Sequence, residues 1–499
     1  MLPPPRRIDA RTAEHLHDVA ATRLLETLAW QRLPAPTLMQ RAGRATARLA
    51  LALAPHARTV WIAAGPGNNG GDGLEAAACL QAMGQQPVIT WLGDPARASA
   101  DTRAAWEHAR QAGVLFSDTP PPQPDLCVDA LLGIGARRAP EGRLAECIQA
   151  MQACGAPVLA VDLPSGLDAD TGHCAGLHVR ARHTLSLLTL KPGLFTAMGR
   201  DAAGQVWLDA LGVGELLAGV DGLPGACAQV GGEPAPRTRL HASHKGSHGD
   251  VAVIGGAPGM AGAALLAASA ALHYGAGRVF LAALDPMAGP ACLAALPAVM
   301  QRTPDALALD ALTVVIGCGG GDGVRTVLPR ALSGARQLVV DADALNALAA
   351  DAELQRQLRQ RADRGRPTVL TPHPLEAARL LGTDSRTVQQ DRLAAARRLA
   401  DQFQCTVVLK GSGTLIASPG GLPHINATGN GRLATAGTGD VLAGALGAAL
   451  AAGLAPQEAA REAVWQHGLC ADRWPDDAPL EAGLLARRLQ APGQPAAAG

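Results

Sequence analysis

Short apolar runs separated by longer stretches of helical spacing set the rhythm of the chain. Over residues 59–190 the runs TVWIAA, PVITWL, LCVDALLG, PVLAVDLPSG and TLSLLTL recur, most of them running on into glycine or polar residues. Runs without polar alternation predict strands buried on both faces, and the spacers predict helices that cover them, so a mostly parallel α/β sheet is expected. Upstream, TAEHLHDVAATRLLETLAW places apolar residues three and four apart, and helix is expected over residues 8 to about 54. The rhythm lapses in LLAGVDGLPGACAQVGGEPAPRTRL, which is rich in Gly and Pro and reads as a linker. It then restarts: DVAVIGG, RVFLAAL, LTVVIGCGGG, QLVVDAD, PTVLTP, CTVVLKGSG and TLIASP predict a second α/β sheet, closed by helices after Gly439 and after Pro456. The expected organisation is a domain over residues 1–217, a linker over 218–239 and a second domain over 240–499.

Composition narrows the partners. Hydrophobic residues make up 48% of the 499, and Lys+Arg balance Asp+Glu at 43 each, which argues against disorder and against a polyanion-binding surface. Aromatic residues are only 2%, so base-stacking platforms and nucleic-acid partners are not expected. The opening MLPPPRRIDARTAEHL has no apolar core of the signal-peptide kind, and no long uncharged apolar run follows, so a soluble, cytoplasmic protein without a membrane partner is expected. The 10 cysteines stand singly, without a Cys-x-x-Cys pair, and read as small core residues.

Candidate chemistry begins at AAGPGNNGGDGLEAAACL, where a strand turns on closely spaced glycines into a helix. Such a turn brings backbone N–H groups and a helix N-terminus to a ligand, or serves only as a tight βα connection. Asn68, Asn69 and Asp72 add side-chain ligands at one point, and the spacing is not that of the dinucleotide fingerprint. GPGNNGGDGL, VDALLGIG and VDLPSGLD together resemble the signature segments of NAD(P)H-hydrate epimerases, over about residues 8–215. The resemblance implies a Rossmann-like three-layer domain that interconverts the R and S epimers of NADH or NADPH hydrated at C6. It puts substrate contacts at Asn68, Asn69, Gly70, Gly71 and Asp72, at Gly133, Ile134, Gly135, Ala136, Arg137, Arg138 and Ala139, and at Asp162. It also implies a potassium site at Asn69, Asp129 and Ser165. Asp162 is the carboxylate chosen to shuttle the proton, the alternative being a loop cap; Asp129 reads equally as a turn residue. In LMQRAG, Gln40 stands where the family commonly has an acid.

In the second half, VIGCGGG ends a predicted strand, VVDADALNAL carries Asp341, Asp343 and Asn346, and LTPHPLEAARLLG carries His373 and Glu376. VVLKGSGTLIASP reads as a hairpin turn, or as a phosphate-binding turn with Lys410. In AGTGDVLAG no lysine follows the glycines, so this is not a Walker A loop; the N–H groups of Gly437, Thr438 and Gly439 would form an anion hole. Asp440 beside it is either a base for a hydroxyl or a helix N-cap.

These segments in order resemble the ribokinase-like ADP-dependent NAD(P)H-hydrate dehydratases over about residues 240–490. The resemblance implies hydrate binding at Ala263, Gly319, His373 and Asp440, with Asp440 catalytic. It implies adenine-nucleotide binding at Lys410, Gly411, Ser412, Gly413, Thr414 and Gly439. Asn430, Gly431, Arg432 and Leu433 depart from the family's usual segment before the alanine. Phosphoryl transfer implies Mg²⁺, with Asp341 and Asp343 as candidate ligands.

The expectation is therefore one α/β protein of two domains that repairs hydrated NADH and NADPH (NADHX and NADPHX). The first domain equilibrates the epimers with K⁺, and the second dehydrates the S form with ADP, giving AMP and phosphate. A homo-oligomer is expected. The rival reading is a small-molecule kinase of the ribokinase superfamily fused to a non-catalytic Rossmann-like binding module.

Overall fold

The computed structural model describes residues 3–33, 35–136, 138–216 and 222–493. Arg137 and residues 218–221 of the expected linker lie outside the described residues. The chain divides into two compact units, Met1–Gln229 and Val230–Gly499. A short strand, Ala228–Val230, falls inside the segment read as linker.

The first unit is built on an eight-stranded sheet in the order Arg6–Arg7, Gln205–Asp209, His183–Leu187, Val158–Val161, Leu126–Ala130, Thr59–Ala64, Gln86–Trp91, Leu115–Phe116. All neighbours are parallel except Arg6–Arg7 against Gln205–Asp209. The chain builds outward from Thr59–Ala64 to Leu115–Phe116, then returns to place Leu126–Ala130 on its other side. Such a reversal opens a crevice at the carboxyl ends of the two central strands, where open α/β sheets bind ligands. Helix Asn68–Ala82 leaves Thr59–Ala64 at that crevice and lies close on the sheet. A methyl at Gly70 would stand 1.9 Å from the Gly65 carbonyl oxygen, and one at Gly73 2.6 Å from Ala130 Cβ, so only glycine permits this approach.

The expected helix over residues 8 to about 54 is corrected. Glu14–Leu16 is a strand, and the helices are Val19–Trp30 and Leu38–Leu53. Leu16 is fully buried and its backbone bridges Leu190, so its apolar side chain serves a sheet position rather than a helical face. Asp18 starts the first helix by accepting from Ala21 N at 2.8 Å.

In the second unit the strands follow the order Met300–Gln301, Arg278–Ala283, Asp250–Gly255, Thr313–Ile316, Gln337–Val340, Thr368–Leu370, Thr406–Leu409, Leu415–Ala417, His424–Ile425. They are parallel as far as Thr406–Leu409, and the last two turn back antiparallel, as the hairpin reading of KGSG requires. The reversal lies between Asp250–Gly255 and Thr313–Ile316. Helices Ala261–Tyr274 and Thr438–Ala451 pack through small side chains: a methyl at Gly444 would fall 2.0 Å from the Ala267 oxygen. Among the described residues, the apolar clusters around the two sheets have no member in common. No helix among the described residues is long and apolar enough to cross a membrane.

Candidate active sites at the two sheet reversals

Asp129, next to the end of Leu126–Ala130, is fully buried. Its carboxylate accepts from Ser165 Oγ at 2.6 Å, Ser165 N at 2.8 Å and Leu131 N at 3.2 Å. Burial pushes its carboxyl up to about 6, with the Ser165 bonds opposing that rise. The Ser165 hydroxyl accepts from Leu132 N at 2.9 Å, and a methyl on the next residue, Gly133, would stand 3.2 Å from Asn69 Cβ. The Asn69 amide nitrogen is buried without a hydrogen-bond partner. The Asp129 carboxylate, the Ser165 hydroxyl and the Asn69 side-chain oxygen, which would stand 3.4 Å from that same methyl, are the all-oxygen kind of donor that a hard cation takes.

Asp162 follows Val158–Val161 with a left-handed backbone, φ 66°, unusual for a residue with a side chain. Its N–H donates to Leu185 O at 2.7 Å, and its carboxylate accepts from Leu187 N at 3.1 Å and from the Lys191 ammonium. Lys191 is fully buried and also donates to Leu187 O at 2.8 Å. Burial and the neighbouring Asp162 charge raise the Asp72 carboxyl well above its ordinary value, so Asp72 and Asp162 face one electrostatic environment.

The remaining positions have mixed duties. Asn68 Oδ1 accepts from Ser99 Oγ at 3.0 Å and Thr102 Oγ1 at 3.3 Å, which ties it to the start of helix Ala100–Gln111. Gly71 lies against Met39, whose Cε would be 2.5 Å from an added methyl. Ile134, Gly135, Ala136, Arg138 and Ala139 belong to the connection after Leu126–Ala130; Gly135 lies near Arg23. Gln40 completes a capping box with Thr37: its Oε1 accepts from Thr37 N at 3.0 Å, a duty glutamine performs as well as an acid.

One strand away from the second reversal, Asp341 is 1% exposed just beyond Gln337–Val340. It precedes helix Ala342–Ala350 but makes no side-chain cap bond. Its Oδ1 instead accepts from Thr371 Oγ1 at 2.7 Å and Lys410 Nζ at 2.8 Å, while Oδ2 lies 3.9 Å from Cys318 Sγ. Asp343 does not join it; its carboxylate accepts from Gly321 N at 2.8 Å and fixes the glycine loop. Lys410 Nζ also lies 3.9 Å from Glu376 Oε2. Burial pushes Lys410 down, but Asp341 and Glu376 outweigh it and its pKa is raised. Burial pushes Glu376 up to about 7, Lys410 acting against it.

His373 caps helix Pro374–Leu381, its Nδ1 accepting from Leu375 N at 3.1 Å and Glu376 N at 3.3 Å. Burial, then the Lys410 charge, lowers its pKa, which favours the neutral imidazole.

Asp440 is not a cap. Helix Thr438–Ala451 starts from Gly437 at φ 88°, without a side-chain cap bond, and Asp440 sits in the first turn. Burial first and Asp341 next push its carboxyl up to about 6, with the nearby Cys318 thiol opposing that rise. Cys318, Asp341 and Asp440 each offer a donor atom within 4.8 Å of the others. A methyl at Gly439 would stand 3.4 Å from Lys410 Nζ, and one at Gly319 2.9 Å from Ala263 Cβ, so Gly439 meets Lys410 and Gly319 meets Ala263. Arg392, buried beneath the Gly411 turn, donates to Lys410 O at 3.2 Å. Thr414 Oγ1 closes that turn on Gly411 O at 3.0 Å, with Ser412 and Gly413 between them.

Lys191, Thr371 and Cys318 were not singled out by the sequence reading. Lys191 had a signal, a lone charge between an apolar run and Pro-Gly. Cys318 is a core residue as expected, yet its thiol touches the acids.

A curated relative from Escherichia coli (strain K12), a bifunctional NAD(P)H-hydrate repair enzyme, is 37% identical over 451 residues, covering 87% of this chain and 84% of its own. The chain belongs to the bifunctional NAD(P)H-hydrate repair enzyme family. A relative of the same description from Coxiella burnetii is 35% identical over 464 residues, covering 91% and 93%. The family model for NAD(P)H-hydrate dehydratases matches residues 251–491, and that for the YjeF-related protein N-terminus matches residues 35–193. An ADP-dependent (S)-NAD(P)H-hydrate dehydratase from Neisseria meningitidis is 45% identical over 261 residues, 51% of this chain and 86% of that one. The solved ADP/ATP-dependent NAD(P)H-hydrate dehydratase of Bacillus subtilis is 31% identical, with a TM-score of 0.44, covering 51% and 91%. Membership across both halves leaves the kinase-plus-binding-module reading without support.

Proposed function

We propose that the first unit epimerises hydrated NADH and NADPH and that the second dehydrates the S epimer with ADP. The observation that carries the first assignment is the enclosed Asp162–Lys191 pair at the carboxyl edge of the sheet. A proton delivered to the C6 hydroxyl lets it leave as water, with the ring-nitrogen lone pair supplying the electrons. When water adds to the opposite face, the same group takes the proton back, and the centre is inverted. Asp162 shuttles the proton, while Lys191 holds its carboxylate in place. Substrate contacts fall to Asn68, Asn69, Gly70, Gly71, Asp72 and the loop at residues 133–139. Asn69, Asp129 and Ser165 would hold K⁺, which supplies charge compensation for a buried carboxylate.

For the second unit, the supporting observation is Asp440 within 4.8 Å of Asp341, whose carboxylate Lys410 binds at 2.8 Å. Hydroxide is a poor leaving group, and phosphate is a good one. Asp440 takes the proton of the C6 hydroxyl as its oxygen attacks the terminal phosphorus of ADP; the P–O bond to AMP breaks. Elimination of phosphate with loss of a ring proton then restores the dihydronicotinamide. Ala263, Gly319 and His373 position the hydrate. Lys410, with Gly411, Ser412, Gly413, Thr414 and Gly439, holds the nucleotide.

Mg²⁺ would accompany the nucleotide phosphates, but Asp341 and Asp343 do not fit as its ligands. Asp341 is taken by Lys410 and Thr371, Asp343 by Gly321 N, and the thiol of Cys318 is a poor donor for so hard an ion. The free cysteines support a reducing, cytoplasmic setting, where a homo-oligomer is expected.

The test incubates the chain with mixed hydrate epimers and ADP or ATP and follows the absorbance of the reduced ring. Full recovery supports both assignments. Recovery that stops when the S form is exhausted sinks the first, and no recovery with either nucleotide sinks the second.

A further inference from the structure

In the first unit, Cys127 and Cys154 bring their sulfurs to 3.4 Å across a sequence separation of 27 residues. Cys127 lies on the central strand Leu126–Ala130 and is fully buried, while Cys154 caps the C-terminus of helix Arg143–Ala153 and is part-exposed. Both are free thiols, and Cys154 Sγ also donates to Met151 O at 3.2 Å. Neither belongs to the carboxylate and amide groups of the two sites. We propose that Cys127 and Cys154 are an oxidative modification site, a thiol pair that closes to a disulfide on reaction with a hydroperoxide.

The chemistry follows from access. The sulfur of Cys154, the less buried residue of the pair, attacks the peroxide oxygen; the O–O bond breaks, and sulfenic acid and one water or alcohol are formed. The Cys127 sulfur then displaces the sulfenic oxygen, an S–S bond forms, and its proton leaves with that oxygen as a second water. The two thiols together lose two electrons, and the peroxide gains two. Cys127, fully buried behind Cys154, is the second sulfur to react rather than the first.

Closure shortens the sulfur separation from 3.4 Å to about 2.05 Å. The strand cannot supply this movement, because it is hydrogen-bonded to Thr59–Ala64 on one side and Val158–Val161 on the other. The end of the helix therefore moves toward the strand, and the crosslink secures it there.

The test exposes the full chain to hydrogen peroxide, blocks remaining thiols by alkylation and maps the peptides without reduction. The expected result is a Cys127–Cys154 crosslinked peptide that dithiothreitol reverses, with slower amide exchange in Arg143–Ala153 and unchanged exchange in Leu126–Ala130. In Cys127→Ser the Cys154 sulfur, lacking its partner, should advance to sulfinic acid, a product that also reports on reactivity where folding is only slightly disturbed. Two alkylated thiols after oxidation, or a crosslink to Cys147 instead, would overturn the proposal. So would sulfinic acid at Cys154 of the unaltered chain.

Discussion

Lys410 and Asp341 meet at 2.8 Å from the ends of two strands that are not neighbours in the sheet, Thr406–Leu409 and Gln337–Val340. The intervening strand Thr368–Leu370 leads into Thr371, which bonds the same carboxylate oxygen. Lys410→Met would leave that buried carboxylate without its ammonium, an imbalance that typically destabilises by about 3–5 kcal/mol. The expected outcome is a lower melting temperature and a loss of roughly 10²-fold or more in kcat/KM for ADP. Epimerisation should persist, and calorimetry beside separate assays of the two activities checks the division. Unaltered ADP kinetics would remove Lys410 from the nucleotide site.

Asp440→Asn is expected to lower dehydration by about 10²–10⁴-fold while leaving the helix intact, since no cap bond is lost. With its carboxyl pushed up to about 6, the rate should rise with pH through about 6, as the base ionises. Stability runs the other way. The folded protein holds this proton more tightly than the unfolded chain, whose carboxyl titrates near the ordinary 3.8, so the contribution is present at low pH and is lost as pH rises through about 6. Parallel pH series of kcat/KM and of melting in wild type and Asp440→Asn separate the two effects. Dehydration at full rate in Asp440→Asn would refute the role of base.

Potassium should act through Asp129. Its carboxyl is pushed up to about 6 by burial, and a cation beside it favours the ionised form. Replacing choline chloride with potassium chloride should therefore raise the first unit's melting temperature more at pH 8 than at pH 5, where the carboxyl holds its proton. Asp129→Asn should abolish the difference. An equal shift at both pH values would count against a cation at this site.

Lys191→Met strips the ammonium from a carboxylate already held in a left-handed backbone. Epimerisation should fall by about 10²-fold or more, while ADP-dependent dehydration of the S form continues. Given a mixture of epimers, this variant should stop with the R form unconsumed, which chiral separation of the residue would reveal. Continued consumption of the R form would show that the ammonium is not needed.

Most of the fold was legible because parallel strands buried on both faces must be continuous apolar runs, and the glycines that follow them mark close approach. Thr59–Ala64, Asp250–Gly255 and Thr313–Ile316 all carry that imprint. Glu14–Leu16 did not: three residues are too few for a period of two, and Leu16 with Val19 imitated a helical face. Gln205–Asp209 carries that imprint only weakly, because Gln205, Trp207 and Leu208 are half-buried and it lies next to the terminal strand Arg6–Arg7. The fold brings Asp129 to Ser165, Gly319 to Ala263 and Lys410 to Gly439 from segments far apart in sequence. Asp341 and Asp343 looked alike in sequence, yet one faces Lys410 and the other closes a loop. Asp341 stands on extended backbone before the helix and Asp343 in its first turn, with left-handed Ala342 between them, a change of direction that no motif records.

The division of the chain into two compact units, with apolar clusters that share no described residue, has a genetic consequence. Asp162 and Asp440 stand in different units, so if each serves the reaction proposed for its unit, lesions at the two should define separate complementation groups within one gene. Two defective chains, each supplying what the other lacks, should restore growth wherever hydrated cofactor is toxic, because the epimer released by one can diffuse to the other.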